Sequence, residues 1–511
     1  MDQARLITRS ARLFSEKTAV VFENKRLTFG EVNERANRLA NGLARLGIGK
    51  GEMVATLRRD CAEHAELFFG LIKGGFVEIT LNPRLNASEI SWQIKEPSAS
   101  IVIFQESFGD LIDSIRDALP SVKHFICIDG ILSGAVSYEE LLAGASPEEP
   151  DVMHELDDLA ELRYTSGTTG KPKGIMLPLR SGLCVTRNLL LDMIPDLTPK
   201  DTFLALQPLY HGAGWFVLPC WVRGVTQVYV PRYDPEIAID AIEREGVSVI
   251  KTVPTILVRL LAHQELKKHN FGNIRTIIYG ASPMPVERLR EGLHVFGSVF
   301  VQLYGQTEAP MTLTVLRKEE HIVDGSEQEV RRLSSAGRPC TFVDLKIVDE
   351  EGVEVKPGEE GEVIVKGDHA MIGYLNREKE TKEALRDGWL YTGDMGVYDE
   401  QGYVYLVGRK GDMIISGGLN VYPNEVEQVL YMHPAVKEAA VIGVPDQLWG
   451  ETIKACVVLK EGKNATKEEI VSFCKERLSS YKKPRSVDFL EDLPKNAMGK
   501  IVRRELVRKY Q

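Results

Sequence analysis

The sequence predicts an α/β protein: a large N-terminal domain of layered α/β subdomains, a small β-rich subdomain, and a small α+β C-terminal domain. Three observations carry this. Short apolar strand signals alternate with amphipathic helix signals through most of the chain, the rhythm of parallel α/β layers. From about Leu345 the texture changes to short strands joined by charged or glycine-containing turns. Beyond Gly408 to Asp412 lies a stretch of about a hundred residues with its own helix and strand signals, enough for a separate compact domain. At 511 residues the chain is several times the usual domain size, so more than one core is expected.

Taken in order, the first clear helix follows Thr28, where Thr28-Phe29-Gly30-Glu31 forms a capping box. Val32, Ala36, Leu39, Leu43 and Leu46 follow at helical spacing, and Gly47 supplies the stop. Met53 to Leu57 reads as a strand. Leu159 to Arg163, Val247 to Lys251, Ile274 to Tyr279 and Val299 to Leu303 read as further buried strands, with a helix around Leu257 to Leu261. Asp349-Glu350-Glu351-Gly352 and Pro357-Gly358-Glu359-Glu360-Gly361 are the turns of the β-rich part. Val426 to Tyr431 and Ile453 to Leu459 supply a helix and a strand of the last domain. The predicted division is 1–409 and 410–511.

Composition narrows the function classes. Lys plus Arg total 63 against 73 Asp plus Glu, a net charge of −10, the wrong sign for gathering nucleic acid by bulk charge. The seven cysteines are scattered and never spaced Cys-x-x-Cys, which argues against a disulfide framework and a zinc site and favours a reducing, cytoplasmic setting. No apolar run is long enough for a membrane span, and no signal-peptide core precedes the foldable pattern that starts by Ala19. A homodimer is neither called for nor opposed.

The most informative segment is Tyr164-Thr165-Ser166-Gly167-Thr168-Thr169-Gly170-Lys171-Pro172-Lys173-Gly174, just after a strand. Glycines that let backbone N–H groups turn inward, hydroxyl donors and two lysines are what a polyphosphate needs. It is not a Walker loop, because Pro172 stands where the second glycine must be. The competing reading is a flexible Gly/Thr linker, against which the paired lysines and the preceding strand weigh.

This segment, followed in order by Gly280-Ala281-Ser282-Pro283, Tyr304-Gly305-Gln306-Thr307-Glu308, Tyr391-Thr392-Gly393-Asp394, Gly408-Arg409, Ser416-Gly417-Gly418 and Pro494-Lys495-Asn496-Ala497-Met498-Gly499-Lys500, resembles the adenylate-forming superfamily. That superfamily comprises acyl-CoA synthetases, firefly luciferases and peptide-synthetase adenylation domains, and the resemblance spans nearly the whole chain. It implies that Thr165 to Lys171 and Lys173 cradle the phosphates of ATP. Gly280, Ala281, Ser282 and Gly305 would lie along the nucleotide, Tyr304 against adenine, Thr307 on the α-phosphate and Glu308 on magnesium. Asp394 with Arg409 would hold the ribose, and Gly417 and Gly418 would complete the nucleotide-binding set. Lys500, on a C-terminal domain made mobile by this role, would contact the substrate carboxylate and the α-phosphate.

Each residue also has a plainer reading. Tyr304 could close a strand, Asp394 could cap a turn, and Lys500 could be one solvated lysine in a basic tail with Lys495, Arg503, Arg504, Arg508 and Lys509. In relatives the position two after the motif arginine is usually Asp or Lys and serves as a pivot; here it is Gly411, which permits pivoting but shifts any side-chain role to Lys410 or Asp412.

In amino-acid-activating relatives an Asp near the middle of the large domain pairs the substrate ammonium. The corresponding Pro208-Leu209-Tyr210-His211-Gly212-Ala213-Gly214-Trp215 has no acidic residue, which disfavours an α-amino acid and favours a neutral acyl chain. His211 either gates the passage between carboxylate and thiol or is an interior histidine. Trp215, Phe216 and Met311 either line the acid site or belong to the core. Gly418 to Glu427 and Gly443-Val444-Pro445-Asp446 look like the acyl-CoA synthetase versions of their motifs, so coenzyme A is the expected acceptor. The expectation is an AMP-forming acyl-CoA ligase acting on a fatty or aryl acid, with a carrier-protein loader as the alternative. A phosphate-releasing ATPase and a binding module without catalysis are less favoured rivals.

Overall fold

The protein is described by a computed structural model over residues 2–165, 172–282, 284–416, 419–446, 449–495 and 501–510. Ser166, Gly167, Thr168, Thr169, Gly170, Lys171, Gly417, Gly418 and Lys500 lie outside the described residues.

Chain entry differs from the expectation. A helix over Gln3–Leu13 precedes the first strand, capped by Asp2, whose Oδ1 accepts the Arg5 N–H at 2.8 Å. Its polar and apolar faces are both tied down. Gln3 donates to Leu179 O at 2.7 Å, and the Trp221 indole donates to Ile7 O at 2.9 Å. The helix after Thr28 spans Phe29–Arg45 with both halves of the capping box made, and Gly47 ends it at φ +81°.

The predicted strands form two large sheets. In the nine-stranded one, Phe300–Tyr304, Thr276–Gly280, Val249–Lys251, Thr202–Ala205, Thr226–Tyr229 and Thr18–Phe22 run side by side and parallel. The margins of this parallel sheet are antiparallel. Thr314–Leu316 and Arg338–Pro339 add antiparallel at one side, and Lys25–Thr28 at the other. The eight-stranded sheet is parallel from Leu159–Thr165 to Val136–Ser137 and closes with antiparallel Lys173–Pro178 and Gly373–Tyr374. These antiparallel returns bring Lys173–Pro178 back beside strand 159–165 and residues 373–374 beside Lys173–Pro178.

One large core includes residues of both sheets and of helices 29–45 and 217–222. At its centre the Trp221 ring lies 4.3 Å from Phe29 and 4.6 Å from Phe69, all fully buried, each contributing about 1.5–3 kcal/mol by leaving water. The β-rich part is an antiparallel sheet of Asp344–Val348, Gly361–Lys366, Trp389–Tyr398, Leu385–Arg386 and Val404–Arg409. After a single turn, Lys410–Asp412, strands 414–416, 419–421, 436–446, 450–459 and 486–489 form a separate sheet. Helices 423–431 and 467–475 cover a core of their own.

Candidate active site

The carboxyl ends of the parallel strands position the first group of residues, as expected for ligand sites in α/β sheets. Tyr304 is the last residue of its strand, and its phenol donates to Asp394 Oδ2 at 2.7 Å. Arg409 Nε lies 2.9 Å from the other carboxylate oxygen. Burial first, then the adjacent Asp394 charge, pushes the Tyr304 phenol well above its ordinary value, so it remains a neutral donor.

The local fold explains why Asp394 and Arg409 meet: they are directly opposite each other in antiparallel register. Asp394 does not sit in the expected turn. It lies within strand Trp389–Tyr398, where residues 392–394 bulge past Val363 and Gly393 adopts φ +70°. Thr392 Oγ1 donates to Val363 O at 2.6 Å, the Gly393 N–H donates to Glu362, and the Asp394 N–H donates to Thr392 Oγ1. The bulge aims the carboxylate at Tyr304.

A second convergence lies beside it. Glu308 Oε1 accepts the Tyr374 hydroxyl at 3.1 Å, and the Lys173 ammonium sits 4.8 Å above the same tyrosine ring. Thr165 and Lys173 are paired across a hairpin, so the segment between them starts and ends at one fixed place. Half-buried Thr307 connects this group to Tyr304. For magnesium the donor set fits: Glu308 offers a hard oxygen held by a neutral phenol, with no ion pair to it among the described residues. One carboxylate is what Mg²⁺ uses when substrate phosphates complete its shell. Tyr374 was not singled out by the sequence; only its placement opposite Ile175 reveals it.

Gly280, Ala281 and Gly305 have packing reasons of their own. A Cβ on Gly280 would lie 2.2 Å from Leu303 O, and one on Gly305 would lie 2.5 Å from Met311 N. Ala281 adopts φ +72° and Met311 φ +62°, backbone that non-glycine residues hold only when the surroundings fix it. Ser282 follows at a bend, half-buried.

The chain after strand 202–205 carries Gln207 and His211. The His211 Nε2 and Gln207 Oε1 atoms are buried without a partner among the described residues. Burial, reinforced by Arg163 and Arg84, pushes the histidine down to about 3, so it is a neutral imidazole. Gly212 places Gln207 against Met311: a Cβ there would meet Gln207 Nε2 at 2.7 Å and Met311 Sδ at 3.3 Å. Of the residues with open assignments, Phe216 is core, stacked on Phe203 at 5.6 Å. The Trp215 ring is covered by Arg163 at 4.9 Å, whose Nε pairs with buried Glu161. Neither Arg163 nor Gln207 was found from the sequence.

At the domain junction, Lys410 lies 3.3 Å from Glu362, and Asp412 lies 3.4 Å from Arg503. A Cβ on Gly411 would meet nothing within 4 Å, and its φ lies outside the left-handed region, so this conformation does not require glycine.

A tyrosine-oriented carboxylate paired to an arginine and a lone glutamate beside a lysine-ended hairpin are the groups of a nucleotide-dependent, acid-activating enzyme. Residues 7–375 match the AMP-binding enzyme family and residues 425–500 its C-terminal domain, and the chain belongs to that family. Feruloyl-CoA synthase of an Amycolatopsis species is 36% identical over 504 residues, covering 98% of each chain. Long-chain-fatty-acid–CoA ligase of Bacillus subtilis is 34% identical, covering 98% of this chain and 93% of the relative. Among solved structures, o-succinylbenzoate CoA synthetase of Bacillus subtilis in complex with its acyl-adenylate intermediate superposes with a TM-score of 0.85 at 32% identity, covering 99% of this chain and 98% of that one. The protein is an adenylate-forming enzyme of the AMP-forming acyl-CoA ligase group. Among the described residues no helix is long and apolar enough to cross a membrane.

Proposed function

We propose that the protein joins a fatty or aryl carboxylic acid to coenzyme A in two steps. The acid carboxylate attacks the α-phosphorus of ATP, giving an acyl-adenylate and pyrophosphate. The thiol of coenzyme A then attacks the acyl carbon, and AMP leaves. A carboxylate is a poor electrophile because oxide would have to depart; as an adenylate it loses AMP instead. The protein's task is to position two anions and offset their charge, which calls for lysine, backbone N–H groups and fixed dipoles rather than a nucleophile.

The observation that carries this reading is the set Tyr304, Asp394 and Arg409, joined by one hydrogen bond and one ion pair and assembled from three separate segments. Asp394 accepts the ribose hydroxyls, Arg409 holds its charge, and the Tyr304 ring lies along adenine. Thr165 to Lys171 and Lys173 take the phosphates, with Gly280, Ala281, Ser282, Gly305, Gly417 and Gly418 around the nucleotide, and Thr307 on the α-phosphate. Glu308 would hold magnesium, which would supply charge neutralisation at the phosphates. Neutral His211 separates the acid from the thiol's approach without adding a cation to it. Lys500 joins the substrate carboxylate to the α-phosphate, and residues 410–511 rotate about the turn at Gly411 between the two steps. The seven buried, unpaired cysteines fit a cytoplasmic setting.

The test is pyrophosphate release from MgATP across short, medium and long fatty acids and aryl acids, with and without coenzyme A, following products by mass. Acid-dependent release ending in a thioester supports the ligase. Release without thioester moves the assignment to a carrier-protein loader.

A further inference from the structure

Lys251 closes the strand Val249–Lys251 and is fully buried, with no exposed surface. Its Nζ donates to Thr252 O at 2.8 Å, and no carboxylate pairs with it among the described residues. Burial alone pushes the ammonium down to about 7. A buried ammonium with one carbonyl for three donors is costly to keep in a core, where an apolar side chain of the same length would pack without that penalty.

Its placement accounts for it. Lys251 stands opposite Ala205 on one neighbouring strand and Ile278 on the other. Ala205, Val249 and Ile278 share a core with Ala213 and Phe216, whereas Ile250 belongs with Leu204 and Ile277 on the opposite face. Alternation therefore turns Lys251 toward the face that carries residues 212–216. Its bond to Thr252 draws the ammonium past the strand's carboxyl end, the end at which the adjacent strands finish with Ala205 and Gly280 and the next one with Tyr304. Gln207, two residues beyond Ala205, has its own buried Oε1 without a partner. Two polar side chains with unused hydrogen-bonding capacity thus follow neighbouring strand ends.

We propose that Lys251 is a specificity-determining residue of the acid site, its ammonium receiving an oxygen-bearing group at the end of the acid distal to the reacting carboxylate. The substrate is then a bifunctional acid, carrying a distal carboxylate or hydroxyl, rather than one with a plain alkyl or aryl end. Gln207, whose buried Oε1 has no partner among the described residues, would accept from that group where it is a hydroxyl. This deepens the ligase reading and rests on it.

The test compares acid-dependent ATP–pyrophosphate exchange for acids of matched length that end in methyl, hydroxyl or carboxylate, and for aryl acids with and without a ring hydroxyl. Wild-type enzyme, Lys251→Met and Lys251→Arg are measured. The wild type is expected to favour a distal-oxygen acid over its methyl-ended counterpart by about tenfold or more in kcat/KM. The ratio should fall to near one in Lys251→Met and recover partly in Lys251→Arg. Preference for the carboxylate arm or the hydroxyl arm names the distal group. Lys251→Met should melt no lower than the wild type, which shows that it folds. A wild-type preference for methyl-ended acids, or a Lys251→Met variant that loses activity equally with all acids, overturns the proposal alone. Absence of exchange with every acid overturns the adenylating reading and this one together.

Discussion

Replacing Asp394 by Asn tests the nucleotide side of the site without changing its shape. The Asp394 side chain is 10% exposed; one oxygen accepts the Tyr304 hydroxyl at 2.7 Å and the other is ion-paired with Arg409 Nε at 2.9 Å. Its remaining acceptor capacity is what ribose hydroxyls would use. A hydrogen bond to a charged group contributes about 1.5–3 kcal/mol, and the amide keeps one acceptor while turning the other into a donor. Loss of about 2–3 kcal/mol corresponds to roughly thirty- to hundred-and-fiftyfold in kcat/KM for ATP. The fold should suffer little, because Arg409 is 43% exposed and can be hydrated when its partner loses charge. The assay is kcat/KM for ATP, 2′-deoxyATP and 3′-deoxyATP with both enzymes. Deoxy substrates should be penalised strongly in the wild type and weakly in the variant, since the same interaction cannot be lost twice. Penalties that multiply independently would refute a ribose role for Asp394.

Lys500→Ala should abolish adenylate formation while sparing thioester formation from supplied acyl-adenylate, and equal loss of both half-reactions contradicts the role given to Lys500. Gly411→Ala should leave the melting temperature unchanged, since its Cβ meets nothing within 4 Å, whereas Gly411→Pro should slow thioester formation more than adenylation. Unchanged turnover in the proline variant contradicts the hinge. Asp201 concerns stability alone: burial would raise its carboxyl, but bonds from Arg275, Ser248 and Thr198 outweigh this and lower it from 3.8 to about 2. Its contribution is complete above pH about 4 and is lost as pH falls toward about 2, so the melting-temperature gap between wild type and Asp201→Asn should be widest near neutrality and narrow below pH about 4. A gap that widens on acidification refutes the assignment.

The strand–helix rhythm and the motifs were legible because each is local. Thr28 and Glu31 make their capping box within one turn, and the strands predicted at 53–57 and 299–303 and found at 53–57 and 300–304 need only their own apolar runs. Strand direction is not local, so the antiparallel returns at 173–178, 314–316 and 373–374 could not be read. The helix at 3–13 was not read from the sequence, because its burial depends on Leu179 and Trp221 far along the chain. The motif containing Asp394 was visible, but its bond to Tyr304 joins residues 90 apart in sequence. Lys251 illustrates the same limit. A lysine ending a strand ordinarily reads as solvated, and only the neighbouring strands and the core on its face bury it.

The central claim is that chemistry begins with acid activation on ATP, before the thiol takes part. Exchange of labelled pyrophosphate into ATP, measured with the preferred acid and without coenzyme A, tests it most directly. The account predicts exchange that needs both acid and magnesium, proceeds without coenzyme A, and is followed by thioester and AMP when coenzyme A is added. Release of inorganic phosphate in place of exchange, or exchange that occurs without any acid, would contradict it.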